Sequence, residues 1–100
     1  MPAAYFVVHN RITDDDRMQE YIPKAVETIL GHGGEVLVVA DDSTVIEGSC
    51  EYPRTVVIRF PSREQAQAWY DCAEFGAVRP LRLSATEGYG VLVDEFVMPG

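Results

Sequence analysis

Hydrophobic positions along the chain recur with two different periods, and the switches between them mark out the elements. Ala4 to Ile12 reads Ala-Tyr-Phe-Val-Val-His-Asn-Arg-Ile, rich in aromatic and β-branched residues, and predicts a strand. Met18, Tyr21, Ile22, Ala25, Val26, Ile29 and Leu30 then recur in steps of three and one, the apolar stripe of an amphipathic helix. Thr13 is the expected cap of that helix, Asp14, Asp15 and Asp16 place negative charge on its first turn, and His32-Gly33-Gly34 ends it. Pro23 sits inside the stripe and withholds the donor that the Gln19 carbonyl needs, so a kink is expected between Gln19 and Pro23.

Glu35 to Ala40 predicts a second strand, and Asp41-Asp42-Ser43 turns the chain into Thr44 to Gly48, a small strand or hairpin arm. Ser49 to Pro53 reads as loop, and Thr55 to Phe60 as the next strand. Ser62 and Gln65 have the spacing of a capping box and open a second helix with Ala66, Trp69, Tyr70 and Ala73 on one face. A further helical stretch around Phe75, Val78, Leu81 and Ala85 is interrupted or restarted at Pro80, and Gly88 to Phe96 supplies the last strand. The order β, α, β, β, α, β predicts an α+β, ferredoxin-like fold, an antiparallel sheet with its helices on one face, as a single domain over residues 1–100.

Strands covered on one face only should alternate apolar and polar residues. These do not: Phe6 and Val8 stand opposite Tyr5 and Val7, Val57 opposite Val56 and Ile58, and Val91 and Val93 opposite Leu92 and Phe96. A chain of 100 residues has no further elements to cover the second face, so a second copy of the sheet is the expected cover, giving a homodimer.

Several segments together resemble a bacterial family, Domain of Unknown Function 1330. They are Tyr21 and Pro23, Gly33-Gly34, Glu47-Gly48, the run Val57-Ile58-Arg59-Phe60-Pro61-Ser62 leading into Ala68-Trp69-Tyr70, then Glu74-Phe75 and Pro80-Leu81-Arg82. The chain departs from the family's usual pattern at Phe75, where tyrosine is common, and at Cys72-Ala73, where Ser-Pro often sits. The resemblance implies a dimeric α/β barrel. It implies no particular activity, because relatives of that architecture include cofactor-free monooxygenases, isomerases and non-enzymatic proteins.

Composition narrows the partners. Sixteen acidic against 8 basic residues give a formal charge of −8, and no basic run interrupts it, which argues against nucleic acid and membrane surfaces. No apolar stretch approaches the roughly 20 residues that cross a bilayer, and the N-terminus lacks a secretory pattern, so a cytoplasmic location is expected. Cys50 and Cys72 form no metal-ligand or redox spacing with each other or with His9 and His32, so no metal and no cofactor is signalled.

The candidate chemistry is correspondingly sparse. Trp69 and Tyr70 each join an apolar body to a polar tip, suited to lining a ligand pocket as well as to packing. Arg82 and Arg59 have the fork geometry that binds a carboxylate, as of a small acidic metabolite; surface acids are the competing partners for Arg59. His9 shares a strand face with Tyr5, Val7 and Arg11 and is a candidate acid, base or ligand, or a solvated strand-end residue. His32 is explained by the helix end, and Glu47 is either a loop carboxylate or an acid in a dimer cleft. No nucleophile, phosphate-loop or dinucleotide motif is present. Two functions remain open: a small-molecule-binding dimer, with or without cofactor-independent catalysis, and a non-catalytic assembly or interaction module.

Overall fold

A computed structural model describes residues 2–99 of the protein. Its elements are β1 (Ala4–Ile12), α1 (Asp15–Gly31), β2 (Glu35–Ala40), β3 (Arg54–Phe60), α2 (Arg63–Asp71), α3 (Ala73–Ala85) and β4 (Thr86–Asp94). The strands lie in the order β2-β3-β1-β4, and every neighbouring pair is antiparallel. This is the expected α+β, ferredoxin-like arrangement, with the second helix divided in two.

Four boundaries differ from the sequence reading. The N-cap of α1 is Asp14, whose carboxylate accepts from the Arg17 N–H at 3.1 Å; the N–H groups of Thr13 and Asp14 both donate to the Ala85 carbonyl. Residues 41–53 hold neither strand nor helix, so Thr44 to Gly48 forms no hairpin arm. The helical run breaks at Cys72, whose extended backbone closes α2 while its Sγ accepts from the Phe75 N–H to cap α3. β4 starts earlier than expected and ends at Asp94, leaving Phe96 outside the sheet and 77% exposed.

The other caps follow the sequence. Ser62 Oγ accepts from the Gln65 N–H at 3.1 Å to start α2, and α1 is continuous through Pro23. Pro80 likewise lies inside α3 rather than interrupting it.

Strand alternation gives the sheet two different faces. On the inner face the register aligns Ile58, Phe6 and Leu92, then Val56, Val8 and Gly90, then Arg54, Asn10 and Gly88. Against these pack Met18, Tyr21, Ala25 and Ile29 of α1, Ala66 and Trp69 of α2, and Phe75 and Ala85 of α3, forming one core. Trp69 anchors it: its ring lies 4.1 Å from Phe75 and 5.2 Å from Phe60 between centroids. Its indole N–H donates to Thr28 Oγ1 at 3.0 Å, so this buried polar tip is satisfied.

The outer face carries no element of the described chain. A row of Val38, Val57, Val7 and Val91 crosses all four strands, flanked by Tyr5 beside Val93. Val38, Val91 and Val93 remain 40–45% exposed. The expectation of two apolar sheet faces therefore holds in three dimensions, with one face buried within the chain and the other open.

Candidate functional site

The inner face does not close completely over the sheet. A cavity of about 310 Å³ lies between β1 and β4 below and α2 and the end of α3 above. Its strand wall is Phe6, Val8 and Asn10 beside Gly88, Gly90 and Leu92; Trp69, Tyr70 and Arg82 contribute from the helices.

Two glycines on the strand wall have no room for a side chain. A Cβ on Gly90 would meet the Phe6 ring at 2.7 Å, and one on Gly88 would meet the His9 carbonyl oxygen at 2.1 Å. Gly88 also has φ +147°, a conformation that side-chain-bearing residues rarely adopt. β4 therefore crosses this stretch without side chains, and β1 and the helices frame the gap.

The chemistry of the lining is one-sided. No histidine, cysteine or carboxylate lines the cavity among the described residues, and its one cation is Arg82. That guanidinium lies 5.7 Å from the centre of the Phe6 ring, and its charge acts on the neighbouring Tyr21 hydroxyl. No acidic side chain among the described residues forms an ion pair with it. A half-buried cation without a counter-charge in an apolar setting favours an anion beside it.

Burial pushes the Tyr21 hydroxyl above its ordinary 10.0, and the neighbouring Arg82 offsets part of that rise. A group whose pKa is higher in the fold than in the unfolded chain contributes stability that is present below the unfolded value and lost as pH rises through the folded value. Alkaline unfolding above pH 10.0 is thus expected to begin at higher pH in Tyr21→Phe than in the native chain, as read by circular dichroism.

A second, smaller cavity of about 80 Å³ adjoins the first through shared lining residues Val8, Asn10 and Arg82. It is mainly apolar, with Tyr21, Met18 and Ile22 of α1 and Arg54 of β3 among its walls. Asn10 is 3% exposed, and its Oδ1 has no hydrogen-bond partner; the same holds for Arg54 Nε, whose neighbouring Nη1 is directed to Asp41 Oδ1 at 2.6 Å. An orphaned buried polar atom costs about 1–3 kcal/mol, so both need an explanation.

Of the residues singled out from sequence, Trp69, Tyr70 and Arg82 are brought together in the larger cavity. Tyr70 is held by Arg79, which stacks 4.6 Å above its ring and donates to its carbonyl. Arg59, His9 and Glu47 lie elsewhere. Odd-numbered positions of β1 and β3 face outward, which puts Arg59 opposite Tyr5, 3.6 Å from Glu35, and His9 opposite Thr55. His9 Nδ1 is 3.2 Å from Thr55 Oγ1, which is 2.6 Å from Ser43 Oγ, and its ring packs 5.7 Å from Tyr89. Glu47 is exposed in the 41–53 segment. His9 therefore lies on the outer face, outside the cavity that Trp69 and Arg82 line.

Sequence reasoning passed over Asn10, Tyr21 and Arg54. Asn10 carried a signal: it shares the period-two face of Phe6 and Val8, and a polar residue in a buried register marks either a network or a site. Among the described residues no group of three or more His, Cys, Asp or Glu side chains is gathered to hold a metal. No helix among them is long and apolar enough to cross a membrane.

Comparison with solved structures places the architecture. A protein of unknown function from Rhodopseudomonas palustris superposes with a TM-score of 0.81 at 9% identity, covering 97% of this chain and 85% of that one. A cofactor-independent oxygenase from Streptomyces nogalater gives 0.64 at 6% identity, over 98% and 97%. A dimeric ferredoxin-like protein of unknown function from Thermobifida fusca gives 0.62 at 13%, over 94% and 92%. Such identities establish shared fold alone. No curated protein matches the chain. The family described as Domain of unknown function (DUF1330) matches residues 3–96, nearly the whole chain, and the protein belongs to that family.

Proposed function

We propose that this protein binds a small organic acid in the cavity between its sheet and helices, and that it does so as a homodimer paired through the open sheet face. The observation that carries the binding reading is Arg82, the one cation in a cavity without an acidic lining residue and without an ion-pair partner among the described residues. Aromatic rings supply the remainder: Phe6, Trp69 and Tyr70 offer flat apolar surface for a ring or chain. The volume suits a small ligand. A cavity of about 150 Å³ accommodates one benzene, so 310 Å³ has room for a two-ring acid.

Binding is better supported than any particular turnover. With no His, Cys, Asp or Glu in the lining, the cavity offers no recognisable pair for proton transfer or nucleophilic attack. What it offers is aromatic surface and a fixed positive charge at Arg82, which stabilises negative charge on a bound molecule. Catalysis of that kind needs no cofactor, and the cofactor-independent oxygenase of similar fold is its structural analogue.

The pairing reading rests on the valine row of the outer face, and a dimeric protein of the same fold supports it. Under the alternative of a non-catalytic assembly module, that face would be the whole function and the cavity would bind nothing.

Arg82→Gln separates the two. It keeps polarity and removes the charge, and a hydrogen bond to a charged group contributes about 1.5–3 kcal/mol, so affinity for 2-naphthoate should fall roughly 10- to 100-fold in calorimetric titration. The melting temperature should move little. Unchanged affinity, or no binding by the native chain, would contradict the acid-binding reading.

A further inference from the structure

We infer that the ligand of this cavity is a planar organic acid that also carries a hydrogen-bond donor, a hydroxy acid in the simplest case, with its anionic group at Arg82 and its donor on Asn10 Oδ1. The inference rests on the acid-binding reading of the cavity and adds a second polar requirement to it.

Asn10 and Arg82 are the polar residues that line both cavities. Arg82 offers donors to an anion. Asn10 Oδ1 is an acceptor, nearly fully buried and unpartnered. Its cross-strand neighbours leave it so: Gly88 has no side chain, and Arg54 is turned toward Asp41. The terminal torsion of asparagine is soft, so the oxygen turns toward a group in either cavity.

Size assigns the parts of the ligand. The smaller cavity, at about 80 Å³, is well below the roughly 150 Å³ that takes a benzene ring, so the ring occupies the larger one beside Phe6, Trp69 and Tyr70. The acid and the donor then sit beside Arg82 and Asn10. A binding site with an unpaired buried acceptor discriminates strongly against an analogue lacking the matching hydroxyl, because desolvation of the acceptor is then uncompensated.

The competing explanation is a water molecule in the smaller cavity that accepts from Arg54 Nε and donates to Asn10 Oδ1. In that case a ligand hydroxyl adds nothing at Asn10.

Calorimetric titration of the native chain with 1-, 3- and 6-hydroxy-2-naphthoate, 2-naphthoate and the matching methoxy-2-naphthoates distinguishes these cases. At least one hydroxy isomer should bind tenfold or more tighter than 2-naphthoate, and its methoxy counterpart, which only accepts, should lose that advantage. In Asn10→Leu the advantage should disappear while 2-naphthoate affinity stays within about threefold. The unliganded variant should melt no lower than the native chain, because an apolar side chain of similar shape removes the orphan.

Equal binding of all the hydroxy acids and 2-naphthoate overturns the hydroxy-acid inference and leaves the acid site standing. An advantage retained in Asn10→Leu or by the methoxy acids also overturns it. Binding of none of the compounds overturns both readings. If Asn10→Leu does not fold, the native-chain series alone decides.

Discussion

Gly88→Ala is expected to lower the melting temperature by on the order of 15 °C, the largest effect of any single methyl group added to this protein. Two independent costs combine. The added Cβ would lie 2.1 Å from the His9 carbonyl oxygen and 2.6 Å from Asn10 Cα, and both are backbone atoms of the central strand that cannot swing aside. The backbone at φ +147° is also strained for any residue with a Cβ. Strain and overpacking at about 1–3 kcal/mol each give about 3 kcal/mol or more. Gly76→Ala is the control: nothing lies within 4 Å of its added Cβ inside α3, and the change should stabilise by about 0.5–1 kcal/mol. Thermal denaturation of the two variants should move in opposite directions; a Gly88→Ala protein as stable as the native chain would mean that β1 and β4 do not approach as described.

Under the proposed pairing through the open sheet face, Val57→Glu is expected to yield a folded monomer. Val57 stands in the middle of the row Val38-Val57-Val7-Val91, on the face that no element of the described chain covers. Two-fold symmetry would place the new carboxylate in the interface twice, and an unpaired buried charge costs several kcal/mol. The dimer dissociation constant should rise at least about a thousandfold, at about 1.4 kcal/mol per tenfold. Sedimentation analysis reads the mass and circular dichroism the fold. A native chain that sediments as a monomer, or a Val57→Glu variant that remains a dimer, would contradict pairing through this face.

The architecture was readable because each element has its own local signature. Met18, Tyr21, Ala25 and Ile29 of the α1 stripe are buried as the periodicity predicts, while Ile22 and Leu30 at its margin are exposed; the β-branched runs and the Ser62 cap reappear where expected. The misplacements have local causes too. Asp14 caps α1 in place of Thr13, and both are capping residue types at adjacent positions, between which the sequence pattern does not choose. Cys72 broke the second helix by acting as a thiol cap, which composition does not advertise.

The candidate site was less legible, since a cavity depends on what two strands and two helices leave unfilled. Gly88 and Gly90 fall in or beside the predicted last strand and show nothing of a cavity until the register sets Asn10 and Val8 against them, with the Phe6 ring close to Gly90. Trp69 and Tyr70 were singled out for joining an apolar body to a polar tip and Arg82 for its guanidinium fork, and all three line the cavity. Arg59 and His9 share those chemical attributes but have outward parity on their strands, and a one-residue shift of register would exchange the faces. Which side chains of β1 reach the cavity follows from parity that its alternation already encodes: Phe6, Val8 and Asn10 inward, Tyr5, Val7 and His9 outward.

The most direct test of the cavity as an acid site is a titration of uniformly ¹⁵N-labelled protein with 2-naphthoate, followed by amide and indole resonances. Trp69 is the chain's only tryptophan, so its indole N–H gives one unambiguous signal from the cavity wall. Saturable shifts of that signal together with the Gly88 and Gly90 amides, and none in Arg82→Gln at the same concentrations, are the predicted result. Absent shifts, or shifts confined to Val7, Val57 and Val91 on the outer face, would contradict it.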